Sequence, residues 1–152
     1  MTDVAILRGG HQIGDLFHRI LPGTEADVRR TIDDLRAHTE WMDLAAGIVT
    51  NALIVLSEVL NNIVEHALAN LPSALIQLDI FRIDTGLLIV TTDPGRPLPP
   101  TLLSSPKLPD TNGAVDDLPE GGFGWFMIHT LAGDMMYERE DGANRLSFSF
   151  AA

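Results

Sequence analysis

The segment Ala45–Asn70 is apolar on nearly every side, so as a helix it has no face suited to water and must be buried by the rest of the chain. Within it Glu58, Asn62 and His66 recur every four residues, in the run from Ser57 to Ala67. Helical geometry sets this carboxylate, amide and imidazole on successive turns of one slowly drifting stripe. A buried polar group left unpaired costs roughly 1–3 kcal/mol, so the stripe either bonds to neighbouring backbone or faces a ligand. Pro72 and Ser73 stop the helix.

Strand and helix signals alternate around this segment. Asp15–Leu21 reads as a strand ended by Pro22 and Gly23. Thr24 then caps a helix over Glu25–Glu40, with Asp27 completing a capping-box-like start. Val28, Ile32 and Leu35 form its apolar face, and Arg29, Arg30, Asp33, Asp34 and Arg36 its solvated side. Trp41–Leu44 is a connection. Ala74–Ile83 and Leu87–Thr92 read as a hairpin turning at Asp84, Thr85 and Gly86, its second strand apolar enough to be buried on both faces.

From Asp93 to Glu120 the prolines at 94, 97, 99, 100, 106, 109 and 119 exclude long regular structure, and a loop of that length is disordered or functional. Gly121, Gly122 and Gly124 precede a helix over Trp125–Ala132 that ends near Gly133. Met135–Glu140 and Arg145–Phe150 are strands joined at Asp141 and Gly142, and Trp125, Phe126, Met127, Met135 and Met136 read as core. This order implies helices on one face of a mixed or antiparallel sheet, an α/β (α+β) two-layer sandwich, in one domain spanning 1–152.

Charge narrows the partners. Ten Lys and Arg stand against 21 Asp and Glu, a formal net charge of −11, which argues against nucleic acid or an anionic membrane surface. Phosphate stays compatible, because backbone amides and a chelated cation can hold it without a basic patch. The absence of cysteine removes disulfides, thiolate catalysis and thiolate metal sites, and His11, His18, His38 and His129 lack zinc-ligand spacing. Glu58, Glu65 and three asparagines make Ala46–Ala69 an unsuitable membrane span, and Met1–Gly10 has no secretory pattern. A soluble, cytoplasmic protein is expected.

The glycines at 121, 122 and 124 open a helix, where unpaired amides and the positive end of the macrodipole suit a phosphate; a tight turn explains them equally well. Asp93-Pro94-Gly95 ends a buried strand, where the carboxylate either caps a turn or accepts from a donor such as the adenine amine. Glu58 and Asn62 carry oxygens of the kind Mg²⁺ takes alongside phosphate and water, and Glu58 alternatively suits a general base. A histidine one turn further on, His66, is more often structural.

Together these residues resemble the histidine-kinase-type ATPase superfamily of gyrase, MutL and two-component kinases, and within it the small RsbW-type anti-sigma factors, over about Asp15–Phe150. Glu58, Asn62 and His66-Ala67 resemble the N box, in which the glutamate is the catalytic base and the asparagine a Mg²⁺ ligand. Asp93 and Gly95 resemble the adenine-reading G1 box, Gly121-Gly122-Phe123-Gly124 the phosphate-wrapping G2 box, and Gly142-Ala143-Asn144-Arg145-Leu146 the last hairpin. The resemblance implies a Bergerat-type fold that binds ATP or ADP with Mg²⁺ at Glu58, Asn62, His66, Asp93, Gly95 and the 121–124 turn. It further implies a homodimer that phosphorylates a serine on a STAS-domain antagonist and switches between that partner and a sigma factor.

With no phosphoacceptor histidine module or sensor segment in these residues, a complete two-component kinase is not expected. Arg96-Pro97 stands where the family usually has another glycine, and Glu120 where some members carry a basic residue. Residues 1–14 read as an extension and 96–120, with Lys107, as an ATP lid or a partner-binding loop. A non-catalytic partner-switching module of the same fold, with nucleotide only structural, is the alternative. An ATP hydrolase using Glu58 to activate water ranks third, for want of the extra domain gyrase-like enzymes use.

Overall fold

A computed structural model describes residues 12–38, 41, 44–103 and 122–151. Its elements run β1 (Gln12–Pro22), α1 (Glu25–Arg36), α2 (Ala46–Asn62) with a π-helical turn (Ile63–Ala67), β2 (Leu75–Ile83), β3 (Gly86–Asp93), α3 (Pro100–Leu103), α4 (Gly122–Leu131), β4 (Met135–Glu140) and β5 (Ala143–Ala151). The five strands form one sheet in the order β1-β2-β3-β5-β4, every neighbouring pair antiparallel, so the mixed alternative falls away.

The helices cover the sheet through one apolar cluster. Val28, Ile32 and Leu35 of α1, Val55, Leu56, Val59 and Leu60 of α2, and Ile128 of α4 join Ile76, Leu78, Ile80, Leu87, Ile89 and Phe148 of the strands. Strand β3 is buried on both faces, because Leu88 and Val90 pack with Ile83 and Phe81 in a second cluster. Its centrality in the sheet is what allows Asp93, at its end, to be buried. Among the described residues one segment, Ala46–Ala67, is long and apolar enough by composition to cross a membrane, and here it is the helix packed on α1, α4 and β5.

Besides element ends that shift by a few residues and the short α3 within the proline-rich stretch, three local features depart from the sequence expectation. Helix α1 stops at Arg36 rather than Glu40: the buried Trp41 indole donates to Leu35 O at 3.0 Å, serving a carbonyl that further helix would have occupied. Its start is as expected, with Asp27 N donating to Thr24 Oγ1 at 3.0 Å and the Thr24 hydroxyl to Asp27 at 2.6 Å. The central helix is not regular to Asn70 but widens at Ile63–Ala67, where Leu68 N reaches Ile63 O at 2.8 Å, and ends there with Leu68 as its cap, the following turn closing at Asn70 with φ 69°. Met136 is not core. It is 39% exposed, because alternation along β4 turns Met135 inward and Met136 out, and Phe126, Met127 and Met135 are half-buried.

The final hairpin follows its turn chemistry: Asp141 and Gly142 both have positive φ, 53° and 77°, the two-residue connection that matches strand twist. That turn fixes the register in which Arg139 lies opposite Asn144 and Tyr137 opposite Leu146.

Candidate functional site

A cavity of about 370 Å³ opens where the end of α2, the end of β3, the start of α4 and the β4–β5 hairpin meet. That size is within the span of about 300–1,000 Å³ usual for small-molecule sites. Val59, Ile63, Leu98, Trp125 and Leu146 give it apolar walls, and Asn62, Asp93, Tyr137 and Asn144 its polar groups.

Asp93 is 4% exposed, and its Oδ1 accepts from Gly95 N at 2.8 Å and from Asn144 Nδ2 at 3.0 Å. The turn role and the ligand-facing role read from Asp-Pro-Gly are therefore both present: the carboxylate caps its own turn and lines the cavity. Burial pushes the Asp93 carboxyl above its ordinary value of 3.8, against the opposing pull of the Asn144 side chain, the Gly95 amide and the Arg139 charge. An acid raised in the folded state binds more protons folded than unfolded, so its contribution to stability falls as pH rises from 3.8 through the raised value. Asp93→Asn keeps an oxygen for both donors and removes the buried charge. Thermal unfolding without nucleotide should therefore show a higher midpoint than wild type at neutral pH, the gap closing toward acid.

Gly95 lies hard against the π-helical turn, where a Cβ would sit 2.6 Å from Ala67 C and 2.8 Å from Ala67 Cβ. Arg96 N donates to Ala67 O at 2.9 Å, and its guanidinium to His66 O at 2.8 Å. Of the two residues that depart from the family's glycine-rich pattern, Arg96 thus has a local explanation: it satisfies carbonyls of the widened turn. Arg96 and Pro97 also line the cavity. Further along, Leu98 N donates to Tyr137 OH at 3.0 Å.

At the other end, Glu58, Asn62 and Gly124 converge. A Cβ on Gly124 would collide with Glu58 Oε2 and lie 3.9 Å from Asn62 Nδ2. The Asn62 amide nitrogen is buried with no hydrogen-bond partner among the described residues, an orphan donor in a cavity wall. Glu58 does not line that cavity; it borders a separate groove with Arg36, Trp41, Leu44 and Ser57, so the stripe divides between two hollows. His66 lines the cavity with its side chain 55% exposed and 3.9 Å from Glu65. Gly122 and Phe123 head α4 as expected, whereas Gly121, Glu120 and Lys107 lie outside the described residues. Among the described residues no cluster of three or more His, Asp and Glu could hold a metal unaided.

Sequence reasoning missed Tyr137 and Arg139 as site residues and took Trp125 for core alone. Trp125 is both, 6% exposed and in the cavity wall. Tyr137 is the sole tyrosine of the chain and stands two residues from Arg139, hence on the same face of β4; that was the available signal.

A sheet covered by helices, with the hollow between the final hairpin and the helix that bears Glu58 and Asn62, is a Bergerat-type ATPase sandwich. The histidine kinase-like ATPase domain family matches residues 21–150, and the chain belongs to that family. Membership implies a domain that binds ATP or ADP. No curated protein matches it in sequence. The RsbU and RsbW domains of Rv1364c from Mycobacterium tuberculosis share its fold with a TM-score of 0.56 at 14% identity, over 89% of this chain and 32% of that one. The histidine kinase domain of the blue-light activated kinase from Erythrobacter litoralis EL346 aligns with a TM-score of 0.52 at 18% identity, over 97% of this chain and 70% of that one. The chain thus spans about a third of the first of these proteins.

Proposed function

We propose that this protein is a cytoplasmic, ATP-dependent protein-serine kinase and anti-sigma-type regulator that phosphorylates a STAS-domain antagonist and sequesters a sigma factor, working as a homodimer. The observation that carries the reading is the orphaned Asn62 amide in the same cavity wall as the buried Asp93 carboxylate. A phosphate-bearing ligand with a donor at its far end answers both. Asp93 accepts from the adenine amine, Gly95 lets the loop pack closely, and the 121–124 glycine run, which from Gly122 onward heads α4, presents amides to the phosphates. Asn62, with phosphate oxygens and water, would hold Mg²⁺, which supplies charge neutralisation on the phosphates. His66, exposed at the cavity edge, adds a contact to the nucleotide.

In the transfer, the serine hydroxyl oxygen bonds to the γ-phosphorus as the bond to the β–γ bridging oxygen breaks. Glu58 takes the hydroxyl proton, and ADP leaves. Glu58 borders a groove separate from the cavity whose wall holds its helix neighbour Asn62, which suits a base between nucleotide and acceptor. The RsbW domain among its structural likenesses is consistent with partner switching.

One observation favours the alternative of a non-catalytic nucleotide-bound module: Glu58 is not among the cavity-lining residues. Calorimetry with Mg-ATP, Mg-ADP and Mg-GTP tests what both share. Adenine nucleotides should bind and GTP should not, and no heat at millimolar ATP would sink both. Transfer of γ-phosphate to a STAS-domain protein encoded beside this one then separates kinase from binder.

A further inference from the structure

We propose that Asn144 is the positioning residue of this pocket: its amide, oriented by Tyr137 and Arg139, holds Asp93 as a hydrogen-bond acceptor and fastens the first residues of the loop after β3 to the final hairpin. Its consequence for binding rests on the reading above, in which the cavity receives adenine.

Asn144 is 5% exposed and lies at the junction of three strands, opposite Asp93 on β3 and Arg139 on β4. Its Oδ1 accepts from Tyr137 OH at 2.6 Å and from Arg139 at 2.7 Å. A guanidinium only donates, so the group facing Arg139 must be the oxygen, and the amide cannot turn over. Its Nδ2 is thereby aimed at three acceptors: Asp93 Oδ1 at 3.0 Å, Arg96 O at 2.7 Å and Gly95 O at 3.3 Å. Arg139 adds a bond to Gly95 O at 2.9 Å, and Tyr137 receives Leu98 N. Both described bonds to the Asp93 side chain fall on Oδ1, so a ligand amine is served by Oδ2. One side chain therefore ties the acceptor that reads the base to the Gly95 and Arg96 backbone with which the loop begins.

Asn144→Asp tests this in the full chain. The variant keeps shape and replaces the donor facing Asp93 by an acceptor, and two carboxyls about 3 Å apart must share a proton. The charged and titratable groups around the pair, namely Arg139 and Tyr137 of β4, Arg96 of the loop and His66 of the π-helical turn, are common to both proteins. Differences between their pH profiles therefore isolate residues 93 and 144. Calorimetric ATP affinity is measured from about pH 5.5 to 8.5, and amide exchange at Gly95 and Leu98 without nucleotide. Affinity should fall at least about tenfold more in the variant than in wild type as pH rises, and both amides should exchange faster. Parallel profiles with unchanged exchange would overturn the proposal. Should the variant not fold, Tyr137→Phe, which keeps the aromatic wall, decides: faster exchange at Leu98 supports the clamp and unchanged exchange overturns it. If wild type binds no ATP while exchange still rises in the variants, the clamp stands and the nucleotide reading fails.

Discussion

Glu58→Gln is expected to cut phosphate transfer by about 10²–10⁴-fold, the usual worth of a positioned general base, while Mg-ATP affinity stays within roughly threefold of wild type. The separation follows from where the side chain lies. Glu58 is against Gly124 at the head of α4 and borders the outer groove, but it does not line the cavity that holds Asn62 and Asp93. An amide of the same shape should preserve the packing and remove only the capacity to take a proton. Single-turnover transfer from labelled ATP to a STAS-domain acceptor, run beside calorimetry, reads both quantities. Unaltered transfer would remove Glu58 as the base. Loss of nucleotide binding would assign it to the pocket, and phosphate release without acceptor, lost in the variant, would favour the hydrolase reading instead.

The helix bearing Glu58 was legible because nothing else in the chain is apolar all round over such a length, and burial was its only stable fate. The β2–β3 and β4–β5 hairpins were legible from alternation and from Asp141-Gly142, signals contained within a few residues. The π-helical turn was not. Its carbonyls are taken by Arg96, thirty residues away in sequence, and Gly95 fills the space beside it, so the distortion belongs to a tertiary contact. Tyr137 and Arg139 failed for the same reason: each looks like an ordinary strand residue until the register sets it opposite Leu146 and Asn144. Met136 misled in the other direction, since its apolarity suggested core while its place in the alternation faced it outward. The parts of the site set by one element were readable, namely Asp93 at a strand end and Asn62 on its helix. The network joining them is made only when three strands and a helix end meet.

Two glycines of the site, Gly124 and Gly95, should respond to alanine in opposite ways. A Cβ at Gly124 meets the Glu58 carboxylate, the far end of a flexible side chain that can swing away. Gly124 also lies within α4, where alanine gains roughly 0.5–1 kcal/mol over glycine. Gly124→Ala is therefore expected to fold with equal or higher stability and yet lose about 10²-fold in transfer, because the base is displaced from its position. At Gly95 the obstacle is the backbone and Cβ of Ala67, which cannot rotate aside. Nor can Gly95 retreat, since its N–H is bonded to Asp93 and its carbonyl to Arg139 and Asn144. Gly95→Ala should cost about 1–3 kcal/mol by overpacking and abolish nucleotide binding together with the loop anchorage. Denaturant unfolding with calorimetry on both variants checks the pair: a Gly124→Ala protein that transfers normally would mean the Glu58 carboxylate need not stay against that glycine. A Gly95→Ala protein as stable as wild type would mean the loop is not seated on Ala67.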